Sequence, residues 1–237
     1  MGFSGGVDSS YLLYAALACG ADVRPYYVKT VFQPQFEFDS AIKLAEKLRT
    51  KVNVVDVDVL DMPYVADNPP DRCYYCKSAI FGTIAELACE DGCTMLIDGT
   101  NASDDAGDRP GMKALDEIGV RSPLRECGLT KKMIRELSKE AGLPTWDRPS
   151  YSCLATRVPS GTEITADILA KIEGAETDLF ALGFKDFRVR YFNGAARLQF
   201  NNEDFKKATD LRVEVLSAVK KYFDIVLLDM AGRETNG

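Results

Sequence analysis

The chain contains no histidine. That one absence excludes histidine-based triads, histidine metal sites and imidazole acid–base chemistry together. No stretch approaches the roughly 18 apolar residues that a membrane helix requires. Positive charge is also in deficit, with 29 Lys and Arg against 36 Asp and Glu and a formal net charge of −7. Such a balance gives no general attraction to a phosphate backbone, so nucleic acid is disfavoured as the main partner. No charged start and apolar run of the secretory kind precedes the first motif, and the seven cysteines are an odd number. The expectation is a cytoplasmic protein whose cysteines are reduced thiols or metal ligands rather than disulfides.

What is present is ample apolar content, 46% over 237 residues, enough for one large domain or two small ones. The first half alternates helical and strand patterns: a helix over 7–19, a strand over 23–28, a helix over 38–49 and a valine-dense strand over 52–59. A helix from near Cys76 to Cys89 and a strand over 94–97 follow. This is the βαβ rhythm of a Rossmann-like parallel sheet, an α/β fold. Residues 102–111, rich in Asp, Gly and Pro, read as a loop, and Thr130 starts a helix that ends near Gly142. Three prolines, Pro144, Pro149 and Pro159, make the next stretch irregular, and the domain boundary is placed there, giving domains 1–150 and 151–237. The second domain reads as a smaller α+β unit. It has a helix over 166–182, strands over 187–191 and 195–200, a helix over 203–222 and a strand over 225–228.

Ser4-Gly5-Gly6-Val7-Asp8-Ser9-Ser10 runs straight into a helix, an arrangement that holds phosphates on backbone N–H groups at a positive helix end. A Walker loop would need Lys followed by Ser or Thr after the last glycine, and neither is here. The order SGGxDS resembles instead the pyrophosphatase loop (PP-loop) of the enzymes that cleave ATP between its α and β phosphates. On that resemblance Asp8 positions Mg2+, and Asp98-Gly99-Thr100-Asn101, with Asp104 nearby, is the second nucleotide motif. The plainer readings are a serine-glycine turn capping a helix and an ordinary Asp-Gly turn. The strand that normally feeds such a loop is reduced to Met1-Gly2-Phe3, which leaves a central strand missing unless the chain continues upstream.

Cys73 and Cys76 form a Cys-x-x-Cys pair in PPDRCYYCK, a spacing that can chelate zinc or bind two irons of a cluster if further ligands arrive. Cys153 is the best candidate for a third. It lies in SYSCLATR, with Arg157 close enough in sequence to favour a thiolate. A ligand-free pair and a buried structural thiol are the alternatives. Cys19 and Cys89 read as small helix hydrophobes, and Cys93 and Cys127 have no informative context.

With SGGVDSS, PPDRCYYCK, DGTNASD, DRPGMKAL, GVRSPL and GLPTWDRPSYSCLATRVPSGTEIT, nearly the whole chain resembles the LarE-type sulfur transferases. The resemblance implies ATP-dependent adenylation of a carboxylate of pyridinium-3,5-biscarboxylate mononucleotide. Sulfur insertion then gives a thiocarboxylate for the nickel-pincer nucleotide of lactate racemase. In one branch of that family the sulfur is taken from the single cysteine matching Cys153. In another, three cysteines hold a 4Fe-4S cluster, and Cys73, Cys76 and Cys153 resemble that branch. The resemblance further implies catalytic roles for Cys153, Asp8 and Arg157, and nucleotide contacts from Ser4, Gly5, Gly6, Asp8, Ser9, Ser10, Gly99, Thr100 and Asn101. Substrate contacts are implied for Arg188, Arg190, Arg109, Trp146, Glu176 and Asp204, with Gln199 where a glutamate is usual. The implied partners are a small nucleotide substrate and sulfide or another sulfur donor, in a homo-oligomer. The competing readings are a tRNA thiolation enzyme, against which the net charge and Val7 speak, and a non-catalytic nucleotide- or zinc-binding protein.

Overall fold

The computed structural model describes residues 1–104 and 110–233. The chain divides into two compact units, the first Met1–Val65 with Pro69–Ser150, the second Ala66–Asn68 with the chain from Tyr151 onward. No described helix is long and apolar enough to cross a membrane.

In the first unit, α1 (Val7–Ala18) leads to β1 (Tyr26–Lys29), α2 (Gln35–Lys47) to β2 (Asn53–Asp56), and β1 and β2 pair in parallel. The three residues before the loop are not lost to the sheet. The Phe3 N–H donates to Tyr26 O (2.9 Å), the Tyr26 N–H to Met1 O (2.9 Å) and the Gly2 N–H to Ile97 O (2.9 Å). Residues 1–3 therefore fill the central position between β1 and the segment ending at Asp98, and Met1 and Phe3 are buried. The centre of the sheet is therefore occupied rather than empty, with hydrogen bonds on both sides and a covered apolar face holding these residues. Ile97 bridges Arg121 in turn, so the parallel order across the sheet is β2, β1, 1–3, 97, 121. That is the doubly wound 3-2-1-4-5 sequence, with ligands expected at the carboxyl ends of the strands.

After the short α3 (Pro63–Ala66), α4 spans Arg72–Glu90, starting a turn earlier than its apolar pattern suggests. Next comes α5 (Pro110–Ile118), in a stretch whose Asp, Gly and Pro content had suggested only loop at its start. Pro110 at its first position is compatible with a helix start, and Met112, Ala114 and Leu115 bury one face. The turn α6 (Pro123–Glu126) precedes α7 (Lys131–Glu140), which is capped by Thr130 Oγ1 accepting the Met133 N–H at 3.3 Å. Leu12 and Leu13 of α1, Leu44 of α2 and Ile134 of α7 close one core with Phe3 and Tyr27. Each such side chain contributes about 1.5–3 kcal/mol by leaving water.

The second unit begins with a 3-10 turn, Leu154–Arg157, and α8 (Ala166–Ala181). The hairpin of β3 (Phe187–Phe192) and β4 (Ala195–Phe200) turns on Asn193-Gly194, both at positive φ (49° and 84°), the geometry for which Asn-Gly is favoured. The expected helix over 203–222 is broken at Leu211 into α9 (Asn202–Asp210) and α10 (Arg212–Val219). Just before the break the Thr209 hydroxyl donates to Lys206 O (2.7 Å), a side-chain bond of the kind that competes with the helix ladder. Strand β5 (Val226–Leu228) then adds in parallel to β4.

Candidate active site

The loop at the start of α1 is shaped by glycine where nothing else fits. Gly5 has φ +72°, and a Cβ there would lie 2.5 Å from Ala41 Cβ. A Cβ on Gly99 would lie 2.8 Å from the Ser9 nitrogen, so the second motif is pressed against the first. Ser9 Oγ ties the loop together, 3.0 Å from Ser4 Oγ and donating to Gly6 O at 3.3 Å. Gly6 caps α1 without a side-chain partner, which leaves the first helical N–H groups directed outward.

A cavity of about 310 Å³ opens at these strand ends, and Ser4, Gly6, Asp8, Ser9, Gly99 and Thr100 line it. Apolar Phe3, Val28, Ile80, Phe81 and Ile84 also line it and give it a face suited to a flat ring. Asp8 Oδ2 accepts from Lys131 Nζ at 2.6 Å, while its Oδ1 is buried and without a hydrogen-bond partner. A buried, unsatisfied carboxylate oxygen beside a helix N-terminus fits a Mg2+ ion arriving with phosphates. Asp98 points the other way in function. Its carboxylate accepts from Ser122 Oγ (2.7 Å), the Thr100 N–H (3.2 Å) and Thr100 Oγ1, so it braces the second motif.

Cys73 and Cys76 stand near the start of α4, at i and i+3, with Cys73 exposed and Cys76 half-buried. Arg72 Nη2 lies 3.7 Å from Cys73 Sγ. A sulfur donor pair at this spacing suits iron or zinc. Among the described residues no three Cys, Asp or Glu side chains gather as a metal site.

In the second unit, Cys153 caps the 3-10 turn and its carbonyl accepts from the Thr156 N–H at 3.0 Å and Thr156 Oγ1 at 2.8 Å. Arg157 organises the same segment, donating to Ser152 O (2.8 Å), Ser152 Oγ (3.1 Å) and Thr156 Oγ1 (2.9 Å). Its Nε and Nη2 meet Glu176 Oε1 and Oε2 at 3.0 and 3.2 Å. Burial works against the Arg157 charge, and the Glu176 carboxylate more than restores it, raising its pKa. Glu176 also accepts the Val189 N–H at 2.9 Å and the Tyr151 hydroxyl, so each of its oxygens has two donors.

No protein-family model matches the chain. Pyridinium-3,5-bisthiocarboxylic acid mononucleotide synthase of Lactiplantibacillus plantarum is 36% identical over 199 residues, 83% of this chain and 72% of that protein. The chain belongs to the LarE family. An uncharacterized protein of Synechocystis is 34% identical over 98% of this chain and 88% of its own. Argininosuccinate synthase of Haloarcula marismortui is 28% identical over 61% of the chain and 37% of its own, and with the parallel sheet this makes the fold that of the PP-loop superfamily.

For a LarE-family chain, the described residues bring part of the expected set together. Ser4, Gly6, Asp8, Ser9, Gly99 and Thr100 share the cavity. Ser10 is fully buried with its hydroxyl unpaired, and Asn101 is buried with Oδ1 accepting the Ser103 N–H. Trp146 does not line that cavity. It edges a shallow pocket with Arg135, Glu136, Lys139 and Asp147, under the Lys139 ammonium at 4.7 Å.

Arg188 is buried, its guanidinium 5.2 Å from the Tyr151 ring, and burial, then Arg157, pulls its pKa down to about 10. Arg190 donates to Thr156 O (2.8 Å) and to Gln199 Oε1, and Gln199 Nε2 donates to Asp229 (2.7 Å). Glu176 has four donors on its two oxygens, which uses all of their lone-pair sites within the second unit. Asp204 sits in the first turn of α9, its N–H accepted by Asn201 Oδ1 at 2.7 Å, where a carboxylate favours the helix. Arg109 lies outside the described residues. Sequence reasoning missed Lys131 and Tyr151. The signal for Lys131 was its place directly after a helix cap, and Tyr151 stood unremarked inside the segment around Cys153.

Proposed function

We propose that the protein uses ATP to adenylate a carboxylate of a pyridinium dicarboxylate mononucleotide and then exchanges the activated oxygen for sulfur. The observation that carries the reading is the phosphate loop whose Asp8 keeps one buried oxygen unpaired at the mouth of α1. The 36% identity to a synthase of the bisthiocarboxylic acid mononucleotide supports the acceptor.

In the first step a carboxylate oxygen of the acceptor attacks the α-phosphorus of ATP, the α–β bond breaks, and pyrophosphate leaves. The backbone N–H groups of Gly6 to Ser9 and the serine hydroxyls hold the phosphates, and Asp8 takes Mg2+, which when bound neutralises the departing pyrophosphate. No general base is needed, because the nucleophile is already a carboxylate. In the second step sulfide forms a bond to the acyl carbon and AMP leaves with the C–O bond electrons, giving a thiocarboxylate with no change of oxidation state. The apolar wall at Phe3, Val28 and Ile80 suits the adenine ring. Arg188 and Arg190 are the proposed contacts for the acceptor's phosphate, with Arg109, Trp146 and Asp204 as further candidates and Arg157 and Glu176 as the frame that holds Cys153.

Cys73, Cys76 and Cys153 are the proposed ligands of a 4Fe-4S cluster, which when bound supplies an iron without a protein ligand on which sulfide can sit. Thiolates of this kind require a reducing, cytoplasmic setting. Exposed Ile225, Leu227, Leu228 and Met230 near β5 support a homo-oligomer.

Two measurements test the reading. Anaerobically purified wild type should carry iron and acid-labile sulfide, and Cys73→Ala and Cys153→Ala should lose both. Zinc without iron in the wild type sinks the cluster. Separately, AMP and pyrophosphate release should depend on added pyridinium dicarboxylate mononucleotide, and release that ignores this acceptor sinks the adenylation step.

A further inference from the structure

Arg188 and Arg190 of β3 share one face of the second unit's sheet, and their register partners on β4 are Gln199 and Arg197. Arg190 and Arg197 are therefore like charges directly opposite each other, an arrangement that costs stability unless something draws the two apart. Arg197 is turned to Asp229, just past β5, with Nε 3.6 Å from Oδ2. Arg190 is met by two neutral acceptors instead: its Nη1 donates to Thr156 O at 2.8 Å and its Nε to Gln199 Oε1. The Gln199 amide is held at its other end, where Nε2 donates to the same Asp229 Oδ2 at 2.7 Å. Asp229 is itself anchored, its Oδ1 accepting the Ala231 N–H at 3.1 Å. Arg190, Gln199 and Asp229 thus form a chain of three in which only one orientation of the amide satisfies both neighbours.

The placing of charge along this chain has a consequence for any anion that reaches Arg190. A carboxylate bonded directly to Arg190 would hold the guanidinium as firmly, but it would also neutralise it, and an incoming phosphate would have to compete with that carboxylate. An amide fixes the direction of the guanidinium without cancelling its charge, and the carboxylate that orients the amide lies one side chain farther away. Burial, then the charges of Arg157 and Arg197, already lower the pKa of Arg190, a strain that an arriving anion relieves. We propose that Gln199 is a positioning residue that, with Asp229 behind it, aims the Arg190 guanidinium and keeps its charge available to the phosphate of the acceptor. This rests on the Arg190 contact proposed above and adds to it the two residues that set its direction and strength.

The test uses the full chain, with calorimetric titration of the pyridinium dicarboxylate mononucleotide and with ATP binding and thermal melting measured on the same variants. Gln199→Glu places a carboxylate on Arg190 and should bind the mononucleotide about tenfold or more weakly. Its ATP affinity and melting temperature should hold, because an arginine–carboxylate pair does not loosen the hairpin. A residue that merely packs would lose affinity only together with melting temperature. Gln199→Glu combined with Asp229→Asn keeps the wild-type sum of charge and a donor for each acceptor along the chain, and it covers the case in which two facing carboxylates unfold the single variant. It should bind as weakly, since the carboxylate still lies on Arg190. Wild-type affinity in either folded variant, or a loss of affinity matched by a loss of melting temperature in both, overturns the proposal. Wild type that binds ATP but not the mononucleotide overturns the acceptor reading, and this proposal with it.

Discussion

Arg157 Nε lies 3.0 Å from Glu176 Oε1, in a pair whose side chains are 0% and 1% exposed. The guanidinium also holds the Ser152 carbonyl and hydroxyl and the Thr156 hydroxyl. A charge removed from one side of such a pair leaves the other buried and uncompensated, at about 3–5 kcal/mol. Glu176→Gln and Arg157→Met should therefore each lower the unfolding free energy by about 3–5 kcal/mol, measured by urea unfolding. The double variant should lose clearly less than the sum, and strict additivity would show the two act apart.

Stability at high pH should reflect the buried phenols. Burial raises Tyr27 and Tyr151 well above the ordinary tyrosine value of 10.0, aided at Tyr151 by the Glu176 charge. Above that value the unfolded chain releases phenolic protons that the folded chain keeps, so the stability they supply is intact below about pH 10 and falls as pH rises. Arg188 acts with the opposite sign. Its folded value of about 10 lies below the unfolded 12.5, so its penalty is constant at neutral pH and fades as pH rises through that window. Tyr151→Phe should flatten the alkaline fall by up to about 1.4 kcal/mol per pH unit, measured as urea midpoints against pH. An unaltered slope would mean Tyr151 ionises in the folded protein.

The glycines divide by what a methyl group would meet. Gly5→Ala combines φ +72° with a contact of 2.5 Å to Ala41 and should cost about 1–3 kcal/mol. Gly99→Ala drives into the Ser9 backbone and should lose nucleotide binding as well as stability. Gly82, inside α4 with nothing within 4 Å of its added Cβ, is the reverse case, and Gly82→Ala should stabilise by about 0.5–1 kcal/mol. Thermal melts and a nucleotide titration on the three variants check the order.

Asp98 accepts three hydrogen bonds and donates none. Asp98→Asn turns an amide N–H2 or a weaker acceptor toward Thr100 or Ser122, and should cost about 1–3 kcal/mol. The loss should appear in both the unfolding midpoint and the nucleotide affinity. A variant with full stability and weak binding would instead put Asp98 on the ligand.

The features legible in the sequence are those written within a few residues of one another. The glycine loop feeding α1 and the helix start at Thr130 each depend on neighbours that a local pattern contains. The alternation of helix and strand was also readable, because apolar periodicity follows which face is covered. Tertiary structure alone decided that Met1–Phe3 complete the sheet, because their partners, Tyr26 and Ile97, are distant in sequence and a three-residue strand has no pattern of its own. It also decided the electrostatics. Lys131 meets Asp8 across 123 residues, and Glu176 is saturated by Arg157, Tyr151 and Val189. A sequence shows which side chains can carry charge, but their partners follow from where the chain returns, since hydrogen bonds and ion pairs act over a few ångströms.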